Sequence, residues 1–309
     1  MSVMIKLKDV SKNYGNIKAA QDLSFELNKG EVMGFLGSNG AGKTTTVKMI
    51  TGYMPADSGD IEVMGTNAGK NSVEIKKHIG YLPENNPLYS DMTVEEYLAF
   101  IAQMREIQDT KKAIKEAVEK CGVEKVRQRI IGHLSKGYRQ RVGLAQAIVH
   151  DPDILILDEP VNGLDPKQIM EIRSLIKKLG KEKTVILCSH ILSEVEAVAN
   201  RVLIINDGKV VADDTITNLK ERSKGNAVFI LEVLEKTNDI ENILGKSEKI
   251  QKVETMSPIK YKLFALGEKG MGNEIFKIAA DNKWPVSQLY MESNSLEDMF
   301  LNLTKGGDQ

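Results

Sequence analysis

The residues best suited to chemistry form a glycine-rich loop near the N-terminus: Gly37, Ser38, Asn39, Gly40, Ala41, Gly42, Lys43 and Thr44, with Thr45 next in the chain. The loop follows a strand-like run and opens a stretch of good helix formers, a context typical of a phosphate-binding loop. Its backbone N–H groups and the helix N-terminus would point at the anion. We expect Lys43 to reach the β- and γ-phosphates of a nucleotide, and the Thr44 hydroxyl to ligate Mg²⁺.

Two adjacent carboxylates lie at the end of a second apolar, strand-like segment. Asp158 and Glu159 directly follow the strand predicted at 154–157. Because side chains alternate along a strand, the two acids need not face the same way, and this allows them two roles. We expect Asp158 to hold Mg²⁺ through its water shell and Glu159 to polarise an attacking water. An acidic strand end is common, so this prediction depends on the phosphate loop.

A third segment carries a family resemblance. Residues 134–141, Leu-Ser-Lys-Gly-Tyr-Arg-Gln-Arg, resemble the signature sequence of the ABC ATPase superfamily, which begins Leu-Ser-Gly-Gly. Ser135 lies 23 residues before Asp158, as the resemblance requires. In that family the segment binds the γ-phosphate of ATP held by the opposite subunit, so Ser135 and Gly137 are expected nucleotide contacts. Ser135 is also a good N-cap for a helix from about 137 to 149.

Other positions match the family in chain order. Tyr14 resembles the aromatic residue that stacks on adenine. Gly-Leu-Asp, ending at Asp165, resembles the D-loop, which crosses the dimer interface. His190 resembles the switch histidine that contacts the γ-phosphate. Outside this frame Tyr14 would more often be a surface residue and His190 an ordinary strand-end residue. The resemblance implies ATP and Mg²⁺ as cofactors, with Glu159, His190 and Lys43 as catalytic residues.

Two positions depart from the family pattern. Glu84, in Pro-Glu-Asn, stands where a glutamine is expected. That loop normally touches Mg²⁺ or the attacking water, and a carboxylate can do both, although its charge alters the metal affinity. Lys136 stands where the signature usually has glycine. Its side chain must either point away from the nucleotide or contact phosphate, and we favour the first.

Composition limits the function classes. The 309 residues contain 42 Lys plus Arg and 43 Asp plus Glu, so no net field attracts nucleic acid. No run of 18 apolar residues appears, and the N-terminus lacks the apolar core of a signal peptide. Cys121 and Cys188 are expected to be buried free thiols. We therefore predict a peripheral protein at the cytoplasmic face of the cell membrane, held there by a partner.

The pattern of elements predicts an α/β fold. Alternating strands and helices in 1–219 indicate an ATPase core of ABC type with a buried parallel sheet and an antiparallel β edge. A helical subdomain is expected at about 87–150, where Thr93 and Glu96 form a capping box. A polar stretch at 218–226 marks the boundary to a small α+β domain at 220–309, whose βαββαβ order suggests a ferredoxin-like unit.

The resemblance implies an ATP-hydrolysing subunit that powers a separate transmembrane permease and closes on a second ATP-binding subunit, either identical or different. The segment 295–301 resembles the tail of the type-2 exporter group, which includes drug-export and gliding-motility-associated proteins. Packing of this tail against its own domain is the simpler interpretation of its apolar face.

A soluble ABC ATPase of translation or DNA repair is a competing interpretation. The chain has one set of motifs and no long coiled coil between phosphate loop and signature. A scaffold without turnover is disfavoured because Asp158 and Glu159 are both present.

Overall fold

The computed structural model describes residues 2–223, 226–237, 239–266 and 270–292. The chain forms two compact units, Met1–Ile216 and Thr217–Gln309. The functional domains predicted at 1–219 and 220–309 stay a prediction, although the structural division falls close to that boundary. The expected helix from Leu296 and the tail motif at 295–301 lie outside the described residues.

Strands and helices alternate in the first unit. Its strands are β1 (Val3–Tyr14), β2 (Ile17–Asn28), β3 (Val32–Leu36), β4 (Ser58–Val63), β5 (Thr66–Asn67), β6 (Ile79–Leu82), β7 (Ile154–Asp158), β8 (Thr184–Ser189), β9 (Arg201–Asn206) and β10 (Lys209–Thr215). Its helices are α1 (Lys43–Ile50), α2 (Ser72–His78), α3 (Val94–Met104), α4 (Thr110–Cys121), α5 (Lys136–Ile148), α6 (Pro166–Leu179) and α7 (Leu192–Val198).

The central sheet has the strand order β10-β9-β3-β8-β7-β6. All neighbours pair in parallel except β10, which pairs antiparallel with β9. Every residue of β3, β7 and β8 is buried, as their apolar sequences predict for a sheet covered on both faces. Because parallel strands end at the same edge, Leu36, Asp158 and Ser189 finish side by side, and the catalytic candidates follow them.

A second, antiparallel sheet has the order β2-β1-β4-β5 and forms the predicted β edge. The sequence predicts a strand at 5–10, where apolar and charged residues alternate, whereas β1 runs from residue 3 to 14. The pairing with β2 shifts register between Leu7 and Val10, and Asp9 has a left-handed φ of 51°. These bulges interrupt the side-chain alternation on which the prediction depended, so the outer part of the strand was missed.

The predicted helix signals are present. The Thr93 hydroxyl accepts from the Glu96 N–H at 3.2 Å, while the Glu96 carboxylate accepts from the Thr93 N–H at 2.8 Å. This confirms the capping box at the start of α3. The sequence predicts a helix at about 166–179, and α6 has these bounds, with Asp165 as N-cap and Pro166 in the first turn. Helices α3, α4 and α5 all fall within 87–150 and bury their apolar faces in one cluster with β7 and β8.

Helix α8 (Ile216–Ser223) occupies much of the stretch that we read as an unpatterned polar boundary. Its buried Ile216 and Leu219 were too few to give a helical period among so many polar residues. The second unit continues with β11 (Asn226–Val233), α9 (Ile240–Leu244), β12 (Ile250–Ser257), β13 (Lys260–Leu266), α10 (Met271–Asp281) and β14 (Val286–Glu292). These strands form an antiparallel sheet in the order β12-β13-β11-β14, with the predicted βαββαβ connectivity.

Candidate functional site

The phosphate loop lies between β3 and α1, where its glycines are structurally required. Gly40 and Gly42 have φ of 85° and 105°, values that residues with a Cβ rarely adopt. A Cβ on Gly42 would lie 2.2 Å from the carbonyl oxygen of Ala19. The loop therefore reaches its shape only with glycine at position 42, directly before the first turn of α1.

Lys43 is buried at the base of the loop, with 6% of its surface exposed. Its ammonium donates to the carbonyl oxygens of Gly37 at 2.8 Å and Ser38 at 3.1 Å. It also lies 3.9 Å from Glu159 Oε1. The Lys43 ammonium is thus buried inside the loop, where an entering phosphate would meet it directly.

Thr44 and Asp158 meet across the site. The Thr44 hydroxyl donates to Asp158 Oδ2 at 3.1 Å, whereas the buried Oδ1 has no hydrogen-bond partner. Burial raises the pKa of Asp158 to about 6, and the neighbouring carboxylates of Glu159 and Glu84 add to the rise. An ionised carboxylate with an unpartnered oxygen here is costly unless a cation accompanies it.

These oxygen donors fit Mg²⁺. A hydroxyl and an ionised carboxylate are ligands that this hard cation prefers, and Asp158 Oδ1 is free to accept from a metal-bound water. Within the described residues no three His, Cys, Asp or Glu side chains form a complete metal cage. Mg²⁺ usually binds through one or two protein ligands together with phosphates and waters, so an incomplete set agrees with a metal that arrives with the nucleotide.

Glu159 is held in a strained conformation next to His190. Its φ of 48° is left-handed, which costs about 1–2 kcal/mol for a residue with a Cβ. The turn breaks the strand alternation, so Glu159 lines the same cavity as Asp158. Its Oε1 lies 2.9 Å from His190 Nδ1, which donates because an ionised carboxylate can only accept. Strain of this kind persists where the surroundings over-determine it, as functional sites do.

Two residues that support this pair were missed from the sequence. The Ser189 hydroxyl contacts Glu159 Oε2 at 3.5 Å and donates to Glu194 at 2.7 Å. Glu194 lies in α7 and is buried, which raises the pKa of its carboxyl group. No spacing rule marks these positions, although a glutamate at the apolar side of a short helix is a signal that we did not use.

The phosphate-loop cavity has a volume of about 300 Å³. Among the predicted residues it is lined by Ser38, Asn39, Gly40, Gly42, Lys43, Thr44, Thr45, Glu84, Asp158 and Glu159. Glu84 accepts a hydrogen bond at 3.3 Å from Asn162 Nδ2. Gly37 contributes its carbonyl to Lys43 instead, and Ala41 is buried. Tyr14 does not line this cavity; it is 45% exposed and donates to Met54 Sδ at 3.2 Å.

Residues of the signature segment 134–141 line a different cavity from the phosphate loop, which we call the signature cavity. It also has a volume of about 300 Å³, and Ser135, Gly137 and Gln168 line it. Ser135 caps α5 by accepting from the Tyr138 N–H at 3.4 Å. Asp165 caps α6 by accepting from the Gln168 N–H at 2.9 Å and is not among the lining residues. Of the residues that the structure describes, none lines both cavities.

The remaining sequence expectations concern cysteines and membrane spans. Cys121 and Cys188 are buried free thiols, as predicted. Burial raises the pKa of both thiols well above the usual value. Among the helices of the described residues, none combines the length and the apolar character needed to cross a membrane.

Known proteins resemble this chain over most of its length. The profile of the ABC transporter family matches residues 20–162. The bacitracin transport ATP-binding protein BcrA of Bacillus licheniformis is 37% identical, with 99% of each chain covered. The linearmycin resistance ATP-binding protein LnrL of Bacillus subtilis (strain 168) is 32% identical and covers 97% of this chain and 98% of its own.

Comparison with solved structures points to the same family as comparison of the sequences. The structure of an ATP-binding subunit of an ABC transporter matches with a TM-score of 0.64 and 28% identity, over 71% of this chain and 92% of the other. A dimeric bacterial ABC transporter cassette matches with a TM-score of 0.64 and 25% identity, over 69% and 99%. ABC ATP-binding subunits form dimers, pair with transmembrane permeases and hydrolyse ATP in transport. The chain thus belongs to the ABC transporter family, as an ATP-binding subunit of the type-2 exporter group.

Proposed function

We propose that this chain hydrolyses ATP to ADP and phosphate in the presence of Mg²⁺. The observation that carries the proposal is the single cavity in which Lys43, Thr44, Asp158 and Glu159 converge. Bound Mg²⁺ would neutralise phosphate charge, with Thr44 as a protein ligand, Asp158 as the acceptor for a metal-bound water and Glu84 as a further oxygen donor nearby. The protein's own residues then bind and orient the triphosphate.

Glu159 is the general base in this proposal. Its carboxylate lies within reach of the phosphate-loop cavity and would accept a proton from the attacking water. His190 Nδ1, at 2.9 Å, fixes the orientation of that carboxylate, and a doubly protonated ring would also donate from Nε2 to a γ-phosphate oxygen. Lys43 holds the β- and γ-phosphates after exchanging its loop carbonyls for phosphate oxygens.

Each nucleotide is proposed to lie between two subunits. Ser135 and Gly137 line a cavity separate from the phosphate loop, so the signature of one chain would close on the nucleotide held by another. The N-terminus of α5 would direct its free N–H groups at the γ-phosphate, and Asp165 would lie near the contact between the subunits. Tyr14 would stack on the adenine ring from the edge of the loop. The second subunit is either a copy of this chain or a related one.

The partner is proposed to be a permease in the membrane, with this chain at the cytoplasmic face. Two of the relatives are named for bacitracin transport and linearmycin resistance. We therefore propose export of an antimicrobial compound by the permease that this chain powers. Purification of the tagged chain from detergent-solubilised membranes, followed by identification of the accompanying integral protein, tests that assignment. Recovery without any integral membrane protein would contradict it.

The decisive test of hydrolysis is Glu159→Gln. The amide keeps the size and one acceptor but is a far weaker base, so we expect turnover to fall about 10²- to 10⁴-fold while ATP binding is retained. Phosphate release and nucleotide affinity are measured side by side. Glu119→Gln, at an exposed position of α4, is the control and should behave as wild type. Turnover near the wild-type rate in Glu159→Gln would refute the role of this residue.

A further inference from the structure

The two departures from the family pattern lie far apart in sequence, yet both contact one loop. We call it the 159–165 turn; it runs from Glu159 at the end of β7 to Asp165 at the start of α6. The turn is compact, because the Asn162 N–H donates to the Glu159 carbonyl at 3.2 Å and the Leu164 N–H donates to the Val161 carbonyl, also at 3.2 Å. Movement of its middle would therefore be transmitted to both ends.

Glu84 contacts the turn from the phosphate-loop cavity. Its Oε1 accepts from Asn162 Nδ2 at 3.3 Å, and its side chain is one of the groups that line that cavity. A glutamine could make the same contact only as a neutral acceptor. The carboxylate makes the hydrogen bond stronger, and it adds a negative charge beside Asp158 and Glu159.

Lys136 contacts the next residue of the turn from the signature side. Gly163 has a φ of 67°, and a Cβ built there would lie 2.2 Å from Lys136 Nζ and 3.3 Å from Cε. The ammonium thus lies directly over the backbone of Gly163. Among the residues that the structure describes, no hydrogen bond or ion pair involves this ammonium, so its charge is not committed to another carboxylate.

The consequence concerns charge as well as packing. Relative to the family pattern, one position gains a negative charge and the other gains a positive charge, and the net charge is unchanged. The two groups touch Asn162 and Gly163, which are neighbours in the chain. Because the two charges are opposite in sign and contact neighbouring residues of one loop, removing either one would change the electrostatic field at that loop while the other stays.

We propose that Glu84 and Lys136 are a compensating pair of positioning residues that holds the 159–165 turn from both sides and so couples the phosphate-loop cavity to the signature of the same chain. The inference rests on the proposed hydrolysis at this site. The first two turns of α5 and α6 support it, because Gly137 packs against the Gln168 side chain and Arg141 pairs with Glu171 at 2.7 Å. The lysine thus extends a connection that already exists.

A double-mutant cycle tests the pair. Glu84→Gln and Lys136→Gly each break the compensation, so we expect each to lower kcat about 5- to 10-fold with a smaller change in KM. The double variant restores the family pattern, so the two losses should be non-additive and its kcat should clearly exceed the value expected from multiplying the two single effects. Lys136→Arg keeps the charge and should retain activity, whereas Lys136→Met keeps only the apolar stem and should behave like the glycine variant. Lys112→Met, on the exposed face of α4, is the matched control.

The same cycle is run on ATP-driven dimerisation in a Glu159→Gln background, where turnover does not enter. Non-additive effects of the two substitutions, on kcat in the first assay and on dimerisation affinity in the second, support the pair. Additive effects in both assays would overturn it, and they would indicate that Lys136 acts independently, for example on a phosphate of the opposite subunit. If wild type does not hydrolyse ATP, the proposed function fails, while the dimerisation cycle still decides whether the two residues are coupled.

Discussion

The phosphate-loop cavity and the signature cavity have the same volume, about 300 Å³, but they are built from different material. The first lies at the carboxyl edge of the central sheet, where strands with every residue buried hold Lys43 and Asp158 in place. The second lies where the first turns of two helices, α5 and α6, meet. Buried strands position the groups that we propose to bind the metal ion, whereas the signature is carried by a helical insert.

Their charges also differ. The phosphate-loop cavity contains three carboxylates and a single lysine, so it needs a cation with the nucleotide before it is electrically balanced. The signature cavity is lined by two cations, Lys125 and Arg141, and two carboxylates, Glu124 and Glu171, so its charges balance. It also presents Ser135 and the N-terminus of α5, which suit an anion. The comparison indicates that neither is a complete nucleotide site within one chain.

Mixing two inactive variants tests that conclusion with the largest expected effect. Lys43→Ala disables the phosphate loop and Ser135→Arg blocks the signature, so each protein alone should lose ATPase activity. In a mixture, about half of the dimers combine one of each, and each of these contains one intact site, which predicts recovery of up to about a quarter of wild-type activity.

The measurement is phosphate release as a function of mixing ratio. A mixture of Lys43→Ala with Asp158→Asn is the control, because both variants are defective in the same cavity and no intact site can form. Failure of the first mixture to recover activity, with mixed dimers verified by size and tag, would contradict a site shared between chains.

A pair of glycine substitutions sharpens the structural difference between the cavities. Gly42→Ala introduces a Cβ at a φ of 105° and 2.2 Å from the backbone oxygen of Ala19, so we expect about 3 kcal/mol of lost stability. Gly137→Ala places a Cβ 2.7–3.0 Å from the Gln168 amide, which can rotate away. Alanine also favours a helix by about 1 kcal/mol over glycine, so the second variant should change stability by less than about 1 kcal/mol.

Urea unfolding of both variants gives the comparison. ATP hydrolysis should fall in Gly137→Ala even where stability does not, because the displaced Gln168 side chain lies in the signature cavity. Equal losses of stability in the two variants would mean that the start of α5 is as rigid as the phosphate loop. The structural contrast between the phosphate-loop cavity and the signature cavity would then fail.

More of the phosphate-loop cavity could be predicted from the sequence than of the side-chain contacts around it. The ends of β3 and β7 could be placed because parallel strands share a carboxyl edge, and α6 could be bounded because Asp165 and Pro166 are strong local start signals. The conformation of Glu159 could not be foreseen, since a left-handed φ in a non-glycine residue is imposed by tertiary contacts. The hydrogen bond between Asn162 and Glu84 joins residues 78 positions apart, and no local pattern encodes it.

The outer half of β1 and helix α8 were misjudged for a related reason. Bulges remove the two-residue period, and two buried residues are too few to establish a helical one. Local patterns identify the elements that hold the site, whereas contacts between distant segments decide how the side chains within it are oriented.

The smallest expected effect concerns the burial of Asp158. Its pKa is raised from 3.8 to about 6, so the ionised form destabilises the folded state above pH 6, and this penalty disappears as the pH falls from about 6 to 3.8. Asp158→Asn should therefore stabilise the metal-free protein by about 2 kcal/mol at pH 7.5 and by much less at pH 4, where the wild-type group is protonated in the folded state. Urea midpoints in EDTA, with the exposed Asp60→Asn as control, measure the difference.

The effect of Asp158→Asn on stability, relative to wild type, should reverse sign once the nucleotide and metal are added. Mg-ATP ought to raise the urea midpoint of wild type but not that of Asp158→Asn, because the amide offers no charge to a metal-bound water. A residue that destabilises the empty protein and stabilises the loaded one is explained by function and not by folding. If Asp158→Asn destabilised the metal-free protein at pH 7.5, the carboxylate would instead belong to the structural framework of the sheet edge, and the contrast between the two cavities would rest on the signature alone.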